Sequence, residues 1–191
     1  MNQNTKIAAG IERLSTMFRA ALWEEAKQYA LSPLQAQILL FIASHAPAMN
    51  SVSHLAREFA VTKATVSDAV RVLIEKKMLI RQAGDDRRAF SLLLTASGKT
   101  HAKKLSPHTE YFDGALTQAS PEDTQKIWEG LLLLIEHLQK TKIIPLRMCF
   151  SCQYFGRDHV AGAPHYCNLM QKPLTLSDIR LDCPEHIVLA A

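Results

Sequence analysis

Leu79-Ile80-Arg81-Gln82-Ala83-Gly84-Asp85-Asp86-Arg87-Arg88-Ala89-Phe90-Ser91-Leu92-Leu93-Leu94-Thr95 reads as strand, charged turn, strand and helix cap, and it decides the fold. Leu79 and Ile80 open an apolar strand. Gly84 to Arg88 supply turn residues with two adjacent guanidinium groups at the exit, and Phe90, Leu92 and Leu94 resume an alternating strand. Thr95 then caps a helix. Paired arginines on a hairpin tip, just after two short helices, suit a probe that reaches into a groove of duplex DNA beside a recognition helix.

Working upstream, Ile7, Ile11, Leu14, Phe18 and Leu22 recur at spacings of three and four and mark one face of an opening helix. A second helix follows the Leu31-Ser32-Pro33 break, carries Leu34, Ile38, Leu39, Phe41 and Ile42, and ends near Ala46-Pro47. Ser51 reads as the N-cap of a short helix that offers Val52, Leu55, Ala56 and Phe59 to a core. Thr62 reads as the cap of the next. In that helix Val66, Ala69, Val70, Leu73 and Ile74 form one stripe. The opposite face therefore shows Ala64, Thr65, Ser67, Asp68 and Arg71, with Lys63 in the first turn. Hydroxyl groups near a helix N-terminus can donate to phosphates, and Arg71 can pair with a phosphate or with guanine. Ser51, Thr62, Lys63, Ala64, Thr65, Ser67, Asp68, Arg71, Asp86, Arg87 and Arg88 are the candidate DNA-contacting set. A plain amphipathic surface helix would show similar residues.

Of 191 residues, 22 are lysine or arginine and 18 aspartate or glutamate. The excess is local: from Arg57 to Lys104 there are 11 basic and 5 acidic residues, whereas from Pro145 onward there are 4 of each. A positive field thus lies on the hairpin and its neighbours, where phosphate contacts are needed. The chain opens on Met1-Asn2-Gln3-Asn4-Thr5-Lys6 and leads into an amphipathic helix, without the apolar core of a signal peptide, so a cytoplasmic protein is expected. The longest aliphatic run, Leu131 to Ile135, is far below the roughly 18 residues of a membrane span, so no membrane partner is expected.

A helix-turn-helix followed by a two-stranded wing is the winged-helix arrangement, and over about residues 5 to 142 the chain resembles the MarR family of bacterial regulators. The resemblance runs through Ser51-Val52-Ser53-His54-Leu55-Ala56, then Val61-Thr62-Lys63-Ala64-Thr65-Val66-Ser67, and most distinctively Asp86-Arg87-Arg88-Ala89 followed by Leu92, Leu94-Thr95 and Gly98. It implies that Asp86 orients Arg88 and that the wing arginines approach the minor groove. At the tip, Ala83-Gly84-Asp85 is shorter than the family pattern and lacks its proline.

Beyond the wing a helical pattern runs from about Ala96 to Ala119 with a break at Ser106-Pro107. Ser120-Pro121-Glu122-Asp123 then combines an N-cap serine, a first-turn proline and an acid at the third position, three independent signals of a helix start. Ile127, Leu131, Leu134 and Leu138 line one side of that helix, and Trp128, Leu132 and Ile135 widen the apolar surface beyond what one partner helix covers. Surplus apolar surface asks for a second subunit. The resemblance implies a homodimer interlocked by the first and the last two helices. A twofold dimer would bind double-stranded DNA at a pseudo-palindromic operator, its recognition helices about 10–10.5 bp apart.

The tail lies outside that pattern. The first 148 residues contain no cysteine, whereas Cys149, Cys152, Cys167 and Cys183 fall within 35 residues. Disulfides are disfavoured in a reducing compartment, so four thiolates converging on a metal are expected. A segment of 47 residues, 145–191, is also near the size at which a fold needs a staple. Structural zinc sites more often use two close cysteine pairs, and here one pair precedes two single cysteines amid Phe150, Tyr154, Phe155 and Tyr166. The order Cys-x2-Cys-Gln-Tyr-Phe with two later single cysteines is weakly similar to the cluster-binding part of high-potential iron-sulfur proteins, although Asp182 stands where a tryptophan is usual. A [4Fe-4S] cluster and zinc both remain open, as does a redox pair of thiols. His159, His165 and His186 lie among the cysteines but are not expected as ligands.

Together these readings give a mainly α fold with a small β-wing. Residues 1–144 form a winged-helix DNA-binding and dimerisation domain, and residues 145–191 a small irregular four-cysteine module. The expected function is a homodimeric transcriptional regulator, a repressor, tuned by a cysteine-bound metal or iron-sulfur centre. An alternative pairs a small-molecule effector with a purely structural zinc site, and a third reading is an electron-transfer protein fused to a winged-helix body. No Gly-x-Gly-x-x-Gly turn, phosphate-binding Gly-Lys-Ser loop or His-Glu-x-x-His pair occurs, so no enzyme is expected.

Overall fold

The computed structural model describes residues 2–83, 90–105, 109–141, 143–157 and 164–189. These form two compact units, Met1–Gln118 and Ala119–Ala191.

The first unit is mainly helical: α1 (Gln3–Lys27), α2 (Pro33–Ser44), α3 (Val52–Glu58), α4 (Lys63–Glu75), α5 (Ala96–Leu105) and α6 (Glu110–Thr117), with strands β1 (Leu79–Ala83) and β2 (Phe90–Leu94) between α4 and α5. Each start is written locally. Ser32 and Gln35 close a reciprocal capping box at α2. The Ser51 hydroxyl accepts from the His54 N–H, and the Thr62 hydroxyl from the Thr65 N–H. Between α3 and α4 the backbone turns left-handed at Ala60, φ 51°, a conformation that costs a residue with a Cβ about 1–2 kcal/mol.

The core of this unit gathers Leu22 and Ala26 of α1, Ile38 and Leu39 of α2, Leu55 of α3, Val66, Val70 and Leu73 of α4, Leu79, Leu92 and Leu105. Burying each such leucine contributes about 1.5–3 kcal/mol. Strands β1 and β2 pair antiparallel, with Leu79 opposite Leu94 and Arg81 opposite Leu92. The hairpin is anchored at its base, because the Leu92 N–H donates to the Asn50 carbonyl at 3.0 Å. Thr95 joins three elements: its hydroxyl donates to the Lys77 carbonyl at 2.7 Å and accepts the Gly98 N–H at 3.0 Å, capping α5 against the end of α4. Gly98 is required by close approach, since a Cβ there would run into the Met78 carbonyl oxygen.

The second unit begins with α7 (Pro121–Leu138), capped by Ser120, whose hydroxyl accepts the Asp123 N–H. It continues through short turns into a three-stranded antiparallel sheet, β3 (Phe155–Arg157), β4 (His165–Cys167) and β5 (Lys172–Leu174), in that order. Leu132, Met148, Leu174 and Ile179 form its small core, with Trp128 and Ile135 packed against them. The compact units part between Gln118 and Ala119, so that α7 lies in the same unit as the cysteine-bearing segment and supplies it with an apolar wall. The widened face of α7 is also explained: Trp128, Leu132 and Ile135 meet the tail, while Ile127, Leu131 and Leu138 stay exposed.

Candidate nucleic-acid interface and cysteine cavity

Helix α4 presents two chemistries. Val66, Ala69, Val70 and Leu73 are buried, while Thr62, Lys63, Ala64, Thr65, Ser67, Asp68 and Arg71 are exposed along one polar face. Free N–H groups and the dipole make the start of a 13-residue helix attractive to phosphate. The Thr62 and Thr65 hydroxyls lie 2.8 Å apart, so each is already oriented. The Arg71 guanidinium sits 3.2 Å from Glu75 and 3.5 Å from Asp68. These exposed pairs are worth about 0–1 kcal/mol and leave the guanidinium available to a stronger anionic partner.

Ser51 stands apart from that face at the start of α3, where its hydroxyl accepts from the His54 N–H at 3.2 Å. Asp86, Arg87 and Arg88 lie outside the described residues. A cation that the sequence reading passed over stands at the hairpin base: the Arg81 guanidinium lies over the Phe90 ring, 4.8 Å from its centre, which holds a positive charge on the exposed side of β1.

Sequence reasoning also missed Asn50. Its side chain is 1% exposed, and among the described residues neither its amide nitrogen nor its amide oxygen has a hydrogen-bond partner. It lines a cavity of about 1000 Å³ in the first unit, together with Phe18, Leu40, Phe41, Lys99 and Lys103. A buried polar group left unpaired costs about 1–3 kcal/mol, a cost that a polar atom in the cavity would remove. Nothing in the sequence marks it, because an asparagine ahead of a capping serine reads as an ordinary turn residue.

In the second unit all four cysteines line one small cavity with Tyr154, Phe155, Leu169, Met170 and Leu174. All four thiols are free and half-buried. Their backbones are fixed by bonds between distant segments: the Cys149 N–H donates to the Arg180 carbonyl at 3.1 Å, and the Cys183 N–H to the Arg147 carbonyl at 2.9 Å. Cys167 ends β4, opposite Phe155 on one side and Lys172 on the other. Burial pushes the Cys149 thiol up. The Arg180 N–H, 3.3 Å from its sulfur, acts against that, and the three neighbouring cysteines add to the rise. Burial and the Arg147 charge hold His186 below its ordinary value, and its Nε2 lies 3.0 Å from the Ser151 hydroxyl. His165 packs against the Phe155 ring, 4.9 Å between centres. His159 lies outside the described residues. Among the described residues, no three His, Cys, Asp or Glu side chains are grouped to hold a single metal ion, and no helix is long and apolar enough to cross a membrane.

Residues 31–89 match the sequence model of the MarR family. A MarR transcriptional regulator from Methanosarcina mazei Go1 is similar in structure at 18% identity, with 72% of this chain and 99% of that chain covered and a TM-score of 0.62. The Staphylococcus aureus MepR–DNA complex is similar at 21% identity, 69% and 97% coverage and a TM-score of 0.59. The transcriptional regulator Tm0710 from Thermotoga maritima is similar at 21% identity, 72% and 96% coverage and a TM-score of 0.53. No curated protein sequence matches. The first unit has the winged-helix fold of MarR regulators. MarR family transcription regulators are not enzymes.

Proposed function

We propose that this chain is a homodimeric, sequence-specific DNA-binding transcriptional regulator, a repressor, whose operator affinity is tuned by a cysteine-ligated metal or iron-sulfur centre in its second unit. The observation that carries the reading is α4, whose apolar stripe is consumed by the core while Lys63, Thr65, Ser67 and Arg71 stand together and open on the far side. Small polar side chains with flanking cations are what a helix lying in a major groove requires. The MepR relative was crystallised with DNA, which adds weight to the same assignment.

Dimerisation is supported by apolar residues without cover in the described chain. Ile7, Ile11, Leu14 and Met17 of α1 are 40–55% exposed, and Ile127, Leu131, Leu133 and Leu138 of α7 are 42–58% exposed. So much apolar surface on two helices favours a partner of the same kind. Tuning by the cysteine centre would act through α7, since one face of that helix packs on the cysteine-bearing segment. Ordering or loosening that segment shifts the population of α7 positions that a dimer can use.

Selection of bound duplexes from a random pool tests the proposal. Two inverted half-sites with centres about 10–10.5 bp apart are expected. Recovery of no preferred sequence, together with a monomeric mass in solution, refutes it. A second reading, an effector-responsive regulator, is favoured by Asn50: a polar ligand atom in the large cavity would satisfy its amide. Asn50→Ala then abolishes effector release of DNA without weakening operator binding.

A further inference from the structure

We infer that Arg81 is a further DNA-contacting residue, a phosphate clamp on the stem of the wing, and that Phe90 holds it in place. The inference rests on the proposed function, with α4 in the major groove and the hairpin over the neighbouring minor groove. Adjacent grooves of a duplex are separated by one sugar–phosphate strand. Where a protein enters both at once, that strand must pass between its two probes. A cation on the side of the hairpin stem that faces α4 therefore meets phosphate and not base edges.

The register of the hairpin fixes the face on which Arg81 stands. Side chains alternate along a strand, so Leu79 and Arg81 share one face, and the residues opposite them, Leu94 and Leu92, share it too. Leu79 and Leu92 are buried in the core that also takes Val66, Val70 and Leu73 of α4, so this is the face turned towards α4. Arg81 is the next residue on that face, beyond the edge of the core, and it is exposed. Its guanidinium leans on Phe90, its diagonal neighbour across the strand pair, 4.8 Å from the ring centre. Phe90 in turn packs against the core, so the charge rests on a ring that the fold itself holds. A cation drawn to a ring face keeps its N–H donors for an anion, and a side chain already held loses less rotamer freedom when it binds. Arg71 is shared with Asp68 and Glu75, whereas Arg81 is in no ion pair among the described residues. Gln82, the following residue, is exposed on the opposite face of β1.

The test is gel-shift titration of the full chain, at several salt concentrations, on the selected operator and on a random-sequence duplex of the same length. Arg81→Ala should weaken both by the same factor, about three- to tenfold, and lower the slope of log affinity against log salt by about 0.9. Phe90→Leu should weaken both by a smaller factor and leave the slope in place, because the cation remains and only its support is lost. The deciding variant exchanges neighbours, Arg81→Gln together with Gln82→Arg, which keeps the net charge and moves the cation to the other face of the strand. It should bind as Arg81→Ala does, with a thermal midpoint equal to that of the wild type. Wild-type affinity in the exchange variant shows that the charge acts through the general field alone and overturns the inference, as does an unchanged salt slope in Arg81→Ala. A wild-type chain that binds no duplex removes the regulator and this contact together. Weakened binding by Arg71→Ala with none by Arg81→Ala removes this contact alone.

Discussion

The indole N–H of Trp128 donates to the Leu176 carbonyl at 2.8 Å, joining α7 to a turn 48 residues further along the chain. Through this bond a helix with one exposed apolar face is tied, on its other face, to the segment that carries the cysteines. Trp128→Phe keeps a ring but leaves the carbonyl without its donor, at a cost of about 1–2 kcal/mol. Hydrogen exchange at the Cys149 and Cys183 amides should then quicken about tenfold. Unchanged protection would mean that α7 does not hold the module.

Lys63 and Arg71 have separable effects. Lys63→Ala should reduce the slope of log affinity against log salt by about 0.9, the signature of one lost phosphate contact. Arg71→Ala should weaken the selected operator by about tenfold or more. Because Arg71 exchanges only exposed ion pairs with Asp68 and Glu75, thermal stability should barely move. Equal binding by both variants in gel shifts at several salt concentrations would remove α4 from the interface.

Gly98→Ala should destabilise the first unit by about 1–3 kcal/mol, although alanine is the better helix former by about 1 kcal/mol. The added methyl group has nowhere to go, since the Met78 carbonyl occupies its place. Urea melts followed by circular dichroism measure the loss. A stabilised Gly98→Ala protein would show that α5 does not press on the end of α4.

The Asp178 carboxyl is held down to about 2, first by the Thr175 hydroxyl, then by the Thr175 N–H and Lys172. A lowered value favours the folded state fully above the unfolded carboxyl's value of about 3.9, and that contribution fades as pH falls towards about 2. Carboxyl chemical shifts should give a midpoint near 2, and Thr175→Val should move it upward. A midpoint at the ordinary carboxylate value would remove the capping box from the turn before Arg180.

Much of the fold was legible because its signals are local. Ser51, Thr62 and Ser120 each bond an N–H three residues on, so a cap can be read from a few letters. The stripe of Val66, Ala69, Val70 and Leu73 follows from helical periodicity alone. The limit of the sequence reading is plain at α7: periodicity marked Trp128, Leu132 and Ile135 as apolar surplus, but the partner that covers them is the tail. Seven apolar residues look alike in a pattern, and only the fold separates those that the tail covers from those that stay exposed.

The winged-helix order, the two faces of α4 and the gathering of cysteines at one end were determined by the sequence itself, since each rests on periodicity, short-range hydrogen bonds or plain position along the chain. The burial of Asn50 without a partner among the described residues, the obligatory glycine beneath Met78 and the convergence of four cysteines on one small cavity were decided by tertiary structure. Each depends on groups brought together by the packing of whole elements, where a shift of an ångström decides between contact and cavity, and residue order alone does not encode that distance.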